Sequence, residues 1–383
     1  MMIDKDYTIR TLADMIRIDS TNPSLTPGSA GEAEMATCVS DALRKMGLEV
    51  YTHEHEPGRF SVVGIRRGQG TGRSIMLNAH MDTVGVEGMT DPFSADLQDG
   101  RMYGRGAQDM KGSLAACMGA VKALCDAGTP VAGDVLIAAV ADEEYASIGT
   151  ADIAKRYPVN AAIVTEPTDL NLCLAHKGFV WLEVEAQGRA AHGSRFEDGI
   201  DANMQMGRVL AALHILEQDL RARRGHPLTG PPSLHISTIQ GGTEWSVYSD
   251  HCTMRIERRT TPGETVSQAV AEIQEILDSL KAEDPTFRAT LKTIFSREPF
   301  EVSPSCDLVR ALETSATQIL GQKPNHVGSA GWMDSALLSV EGVETVIIGP
   351  RGDGLHTHEE WVELNSVIKL ADILARTVVA YSG

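Results

Sequence analysis

The sequence is poor in the features that mark several classes of protein. None of its 383 residues belongs to an uninterrupted apolar run long enough for a membrane span, which takes about 18 residues. Basic residues are outnumbered, with 34 Lys and Arg against 52 Asp and Glu, and the net charge of −18 argues against nucleic acid or an anionic membrane as partner. The remaining composition, 42% apolar and 22% charged, is typical of a globular protein, and the length predicts two domains with a sizeable core.

Closely spaced cysteine pairs are also missing. The six cysteines are scattered, and no two form a Cys-x-x-Cys pair. Cys117, in an apolar stretch, illustrates the reduced core role that we expect for them. Residues 1–10 lack the basic-then-apolar pattern of a secretory signal. These observations predict a cytoplasmic location.

Helix and strand patterns alternate along most of the chain. The predicted strands span 60–65, 74–78, 134–140, 161–164 and 345–348. The predicted helices span 113–127, 148–157 and 364–381. This alternation predicts an α/β fold with a mostly parallel sheet flanked by helices.

The middle of the chain follows a different order. Strands are predicted at 180–186, 233–240, 252–258 and 288–294, with long helices at 202–223 and 264–281. This order predicts an α+β domain inserted at 178–295 into a first domain formed by 1–177 and 296–383. The pattern leaves open whether an edge of the insert pairs with another subunit.

His80 and Asp82 follow the predicted strand 74–78. Residues two apart on a strand point the same way. One of the two can therefore bind a metal while the other accepts a hydrogen bond from the metal-bound imidazole. A solvated strand end explains this motif alone equally well.

Further carboxylates follow other predicted elements. Asp109 lies among three glycines just before a helix, where ligation is a better explanation than helix capping because Leu114 begins the apolar helix five residues later. Glu143 and Glu144 follow a buried strand, so one can bind a metal and the other can accept a proton from water. An exposed acidic loop is the alternative. Glu166 ends the next strand.

Two histidines, His356 and His358, follow a glycine-rich turn after strand 345–348, and spacing alone does not choose between them. No single motif is specific. Together, however, they place residues that can bind a metal at the carboxyl ends of several strands. Open α/β sheets bind small molecules and ions at that edge. This convergence predicts a site for two zinc-like ions, and a free carboxylate beside them predicts amide hydrolysis.

The combined motifs resemble those of the zinc-dependent acetylornithine deacetylase, succinyl-diaminopimelate desuccinylase, aminoacylase and carboxypeptidase G family over nearly the whole chain. That family has a zinc-exopeptidase-like catalytic domain with an inserted lid or dimerisation domain. Its motifs match His80-x-Asp82, Gly104 to Gly112, Glu143-Glu144, Glu166-Pro-Thr and His356-x-x-x-Glu360 with Trp361. The last match selects His356 over His358.

The resemblance implies a role for each matched residue. His80 and Glu166 would hold one ion, Glu144 and His356 would hold the other, and Asp109 would bridge them. Glu143 would be the general base, with Asp82 also in the catalytic group. The resemblance implies two divalent ions per subunit, zinc first, with cobalt or manganese as alternatives.

The insert carries a further match, Gly188-x-x-Ala-His192. In relatives this histidine reaches the neighbouring subunit's site and stabilises the oxyanion, which implies a homodimer formed through the insert. Arg259 is a candidate for binding a substrate carboxylate, with a salt bridge inside the domain as the alternative. Gly331 and Asp334 resemble a family turn near the substrate. Ser246 departs from the family, because relatives often have an Asn there that contacts substrate.

We therefore expect a hydrolase that removes an acyl group from an N-acyl amino acid or related small amide. A dipeptidase or carboxypeptidase-type exopeptidase on the same scaffold is the first alternative. A non-catalytic small-molecule binding protein is a second, which the intact Glu143 and ligand set disfavour. A scaffold role for the insert alone would leave the ligands unexplained.

Overall fold

The computed structural model describes residues 1–383, which form two compact units. The first unit comprises Met1–Leu174, Val302–Val327 and Met333–Gly383, and the second comprises Ala175–Glu301 and Gly328–Trp332. The insert predicted at 178–295 falls within the second unit. Its predicted roles as a lid and in dimerisation stay predictions.

The chain contains nine α-helices and seventeen strands. The helices are α1 (Lys5–Ile16), α2 (Ala33–Lys45), α3 (Gly112–Asp126), α4 (Ile148–Arg156), α5 (Ala202–Ala222), α6 (Val266–Glu283), α7 (Asp307–Leu320), α8 (Ser335–Val340) and α9 (Leu364–Ser382). The first strands are β1 (Glu49–Glu56), β2 (Arg59–Arg66), β3 (Ile75–His80), β4 (Asp96–Gln98), β5 (Arg101–Tyr103), β6 (Val135–Val140), β7 (Ala161–Val164), β8 (Leu172–His176) and β9 (Gly178–Gln187). The others are β10 (Ser233–Gly241), β11 (His251–Thr260), β12 (Ala289–Arg297), β13 (Phe300–Glu301), β14 (His326–Ser329), β15 (Glu344–Ile347), β16 (Gly352–Asp353) and β17 (Trp361–Glu363). None of the helices combines the length and the apolar character that crossing a membrane requires.

The main sheet of the first unit has the strand order β1-β2-β6-β3-β7-β15-β8. The four central strands, β6, β3, β7 and β15, are parallel, whereas β1, β2 and β8 run antiparallel to their neighbours. The α/β class with a mostly parallel sheet is therefore confirmed. His80 lies beside Val140, and Asn78 lies beside Val164. The carboxyl ends of β3, β6 and β7 consequently meet at one edge.

The composition of these strands explains why they are central. Every residue of β3, β6 and β7 is buried. Successive side chains of a strand point to opposite faces, so continuous burial means that both faces are covered. Helix α3 has the same character, with twelve of its fifteen residues buried. Polar side chains at the ends of these strands are thus held on rigid elements.

The second unit has a four-stranded antiparallel sheet in the order β10-β11-β9-β12. Here burial alternates, and Val180, Leu182 and Val184 of β9 join residues of α5 and α6 in one apolar core. This alternation is typical of a sheet with helices on one face only. A small third sheet, β16-β17-β5-β4, belongs to the first unit, and the sequence patterns did not predict it.

Candidate metal centre

Two groups of three side chains meet at the carboxyl edge of the central strands. His80, Asp109 and Glu166 form the first group, and Asp109, Glu144 and His356 form the second. Within each group the ligand-type atoms lie within 4.8 Å of one another. All five residues that the sequence analysis named as metal ligands are therefore brought together, and Asp109 belongs to both groups.

Asp109 directs a different carboxylate oxygen toward the histidine of each group. Its Oδ1 atom lies 3.0 Å from Nε2 of His80, and its Oδ2 atom lies 3.3 Å from Nε2 of His356. The glycines before it shape this loop, because Gly106 has a φ of 81° and a β-carbon there would come within 2.8 Å of Thr83. Asp109 caps no helix, since α3 begins after Lys111 without a side-chain cap. A carboxylate placed in this way suits a bridging ligand.

His80 is oriented for ligation by its other ring nitrogen. Nδ1 lies 2.9 Å from the backbone carbonyl oxygen of Asp82, and this oxygen can only accept a hydrogen bond. Nδ1–H therefore donates to this carbonyl, and Nε2 is the ring nitrogen that faces Asp109 and Glu166, whose Oε1 atom is 3.7 Å away. Nε2 is thus the nitrogen that a metal ion would bind. The spacing of His80 and Asp82 predicts the Asp82 carboxylate as the partner. Its nearest oxygen is 3.7 Å from Nδ1, because that carboxylate binds other donors.

His356, rather than His358, belongs to the second group. Its Nε2 atom lies 3.0 Å from Oε2 of Glu144. The backbone of His356 has a positive φ of 57°, a conformation found in turns and not in helices or strands. His358 instead lies against Gly88. The two histidines line one side of an open cleft of about 530 Å³, together with Val84, Gly85, Glu87, Gly88 and Arg105. A small substrate thus has access beside His356.

The electrostatics of the centre fit divalent cations. Burial raises the pKa of Glu144 to about 6, and burial and nearby carboxylates hold the pKa of Glu143 and of Glu166 well above the usual range. The hydrogen bonds with Asp109 and Glu144 raise the pKa of His356 to about 10. Burial is the first cause of the raised pKa of the three glutamates and neighbouring carboxylates are the second, and a bound cation would offset both. The buried Oε1 atoms of Glu144 and Glu166 also have no hydrogen-bond partner, and a bound cation would coordinate them instead.

The Asp82 carboxylate fixes the loop that carries the Glu143-Glu144 pair. It accepts hydrogen bonds from the backbone amide of Glu143 at 3.1 Å and from that of Glu144 at 3.2 Å. It also accepts one from Nδ2 of Asn22 at 2.8 Å, and the same Nδ2 donates to Asp142 at 3.0 Å. Asn22 was missed by the sequence analysis, because its partners are distant in the chain.

Asp142 is neutralised by a buried arginine that the sequence analysis also missed. Arg59 donates to Asp142 at 2.7 Å and to both carboxylate oxygens of Glu32 at 2.7 Å. All three side chains are at most 5% exposed. The sequence indicates the need for a nearby cation by the run Asp142-Glu143-Glu144 after a buried strand, because a buried carboxylate is costly unless a cation neutralises it. For the first of the three, that cation is Arg59.

His192 lies in the second unit, on an exposed loop. Its Nδ1 atom accepts a hydrogen bond from the backbone amide of Ser194 at 3.2 Å, and it lies 2.9 Å from the Ser194 hydroxyl. Acceptance at Nδ1 places the proton of the neutral ring on Nε2. The exposed Nε2 is thus a hydrogen-bond donor. Ser246 packs on the same loop, where its carbonyl accepts from the amide of Gly193 at 2.7 Å.

The three residues predicted to bind substrate have different surroundings. Nε of Arg259 donates to Glu257 at 2.6 Å, so the salt bridge that the sequence left open is present. Gly331 is exposed, and its amide donates to Ser329. Asp334 is buried and accepts a hydrogen bond from Thr150, and burial raises its pKa to about 6. Their roles toward substrate stay predictions.

Residues 76–380 match Peptidase family M20/M25/M40, and the chain belongs to this family. The resemblance derived from the motifs is thereby confirmed. The chain is a hydrolase of amide or peptide bonds, of a family that includes dinuclear metal-binding peptidases.

Two relatives and two solved structures show the range of the likeness. The chain is 27% identical to an acetylornithine deacetylase of Myxococcus xanthus, covering 97% of both chains. It is 26% identical to an N-formyl-4-amino-5-aminomethyl-2-methylpyrimidine deformylase of Bacillus subtilis, covering 90% of this chain and 88% of the relative. The aminopeptidase PepT from Bacillus cereus has a TM-score of 0.83 at 18% identity, covering 100% of both chains. A dinuclear metal-binding M20 peptidase from Bacillus subtilis has a TM-score of 0.76 at 16% identity, covering 98% of this chain and 97% of the other.

Proposed function

We propose that the protein removes a small acyl group from an N-acyl amino acid or a closely related amide. The observation that carries this proposal is the pair of ligand groups sharing Asp109, with the carboxylate of Glu143 beside them. The relatives that cover most of the chain support the substrate class, since deacetylation and deformylation both release a small acyl group from nitrogen. The likeness to peptidase structures, at 16–18% identity, supports the fold alone.

In this proposal the residues of the centre have separate tasks. His80 and Glu166 would hold one divalent ion, Glu144 and His356 would hold the other, and Asp109 would be shared between them. Two such ions, which we propose are zinc, would supply Lewis acidity toward the scissile carbonyl and the attacking water. Asp82 holds the backbone of Glu143 and Glu144 in place through their amides.

Glu143 moves the proton. A carboxylate oxygen of Glu143 accepts the proton of the attacking water and then donates it to the leaving nitrogen, so that one group acts as base and acid in turn. We propose that Nε2–H of His192 from a neighbouring subunit donates to the developing oxyanion. Arg259 is the proposed partner of a substrate carboxylate, and Gly331 and Asp334 complete the proposed substrate contacts.

A substrate screen tests the proposed function. We expect N-acetyl, N-formyl, N-succinyl or N-carbamoyl amino acids, assayed with added cobalt, to include a substrate with kcat/KM at least about tenfold above that of any dipeptide. The reason is that a dipeptide carries an α-ammonium group, which a site that selects neutral or anionic acyl groups would leave unpaired. Chelator-treated enzyme provides the background rate. Turnover confined to dipeptides would replace the proposal with an exopeptidase, and no turnover of any amide would refute both.

We also propose a cytoplasmic homodimer formed through the second unit. Helix α5 exposes Met204 (71%) and Ile215 (68%), which lie on one side of the helix because eleven residues make about three turns. The neighbouring strand β10 is an edge of its sheet. We expect the double variant Met204→Glu/Ile215→Glu to sediment as a monomer in analytical ultracentrifugation while the wild type sediments as a dimer. Val340→Glu, at another exposed apolar position, is the control. A wild type that is monomeric at micromolar concentration would contradict this proposal.

A further inference from the structure

Glu360 is a buried carboxylate that the proposed mechanism does not use. It lies four residues after His356 and is 1% exposed. The next residue, Trp361, begins β17, which pairs with β5. The backbone carbonyl of Glu360 accepts a hydrogen bond from the amide of Gly104 at 3.0 Å. The segment that carries His356 is therefore anchored beside the loop that carries Asp109.

The side chain of Glu360 accepts four hydrogen bonds, all from that loop. Oε1 accepts from the backbone amides of Gln108 at 2.9 Å and Asp109 at 3.0 Å. Oε2 accepts from the amide of Gly106 at 2.9 Å and from Nη1 of Arg105 at 2.7 Å. Each oxygen thus meets two donors, and no acceptor faces the carboxylate. Only a group with two accepting oxygens satisfies this arrangement.

Arg105 extends the contact to the remaining loops. Its Nη2 atom donates to the carbonyl of Thr357 at 2.8 Å, and its Nε atom donates to the carbonyl of Gly85 at 3.1 Å. The Glu360–Arg105 pair is buried, so water does not weaken or replace these bonds. The loops that deliver Asp109 and His356 are consequently held to each other by the Glu360–Arg105 ion pair together with the hydrogen bonds that Glu360 and Arg105 make to the backbone of both loops.

We propose that Glu360 is a positioning residue that sets the place of Asp109 for both metal ions, an inference that rests on the proposed function. The backbone amide of Asp109 is bound directly to Glu360, and Asp109 is the one residue that both ligand groups share. Displacing Asp109 must therefore affect both ions. Loss of His356, which belongs to one group only, must affect one ion.

The substitution Glu360→Gln tests this inference. The glutamine amide has the same shape but turns an N–H group toward two donors, which leaves them unpaired. We expect the affinity for both ions to fall by about 10- to 100-fold, as is typical when the partner of a ligand is lost. The measurement is calorimetric titration of chelator-treated protein with Co²⁺. Glu359→Gln, the same change at the exposed preceding residue, is expected to bind as the wild type does.

Two comparisons make the outcome decisive. His356→Ala is expected to weaken one Co²⁺ site and spare the other, whereas Glu360→Gln weakens both. If Glu360→Gln does not fold, Glu360→Asp keeps the charge but withdraws the oxygens, and the same loss at both sites is expected. Wild-type affinity at either site in the folded variant overturns the inference. A wild type that binds fewer than two Co²⁺ ions refutes the proposed function instead.

Discussion

Glu143→Ala is expected to lower kcat by about 10²- to 10⁴-fold, the contribution typical of general acid–base catalysis. The variant loses the group that takes the proton from water and returns it to the leaving nitrogen. It keeps all five ligand residues, and the amide of residue 143 can still donate to Asp82, so metal binding is expected to persist. The measurement combines steady-state kinetics on the best N-acyl substrate with the metal-to-protein ratio.

Glu341→Ala is the matched control for this prediction, because it removes an exposed glutamate after α8. We expect it to leave kcat and metal content unchanged. Near wild-type turnover by Glu143→Ala would mean that another group moves the proton. Loss of metal together with activity would mean that Glu143 is a ligand instead of a base.

Arg59→Met is expected to lower the free energy of unfolding by about 3–5 kcal/mol. Methionine fills much of the arginine's volume but leaves Glu32 and Asp142 without their cation, and both are buried. An uncompensated buried carboxylate is costly because it loses its hydration without gaining a partner. Equilibrium unfolding in urea measures the difference.

Arg67→Met is the informative control for this change. Arg67 also pairs with two carboxylates, Glu49 and Asp134, each at 2.7 Å, but its side chain is 53% exposed. Water screens such pairs, and the expected loss is about 0–1 kcal/mol. Equal losses in the two variants would show that burial does not control the strength of the Arg59 cluster.

The sequence predicts the fold of the first unit well because its signals are local. Continuous apolar runs identify β3, β6 and β7, and the polar residues that follow them are placed by the parallel register of those strands. The candidate ligands at these strand ends could therefore be named before their geometry was known, but the family resemblance was needed to assign His80 and Glu144 as the ligands. The choice of His356 over His358 depended on the family resemblance, since it is set by the path of a turn with a positive φ.

The residues that hold the site in place could not be predicted from local sequence patterns. Asn22 is 60 residues from Asp82 and 120 from Asp142, and nothing in its local pattern indicates either contact. Arg59 is the first residue of β2, and an arginine at the end of a strand, taken alone, suggests a surface position. Tertiary packing determines these contacts, and only the adjacent acids after β6 indicated that a cation was needed there.

The most direct test of this account is the number of metal ions that one chain binds. Calorimetric titration of the chelator-treated wild-type protein with Co²⁺ is predicted to give two equivalents per chain, with hydrolytic activity restored as they bind. A stoichiometry of one or none, or full activity in the stripped protein, would contradict a dinuclear hydrolytic centre bridged by Asp109.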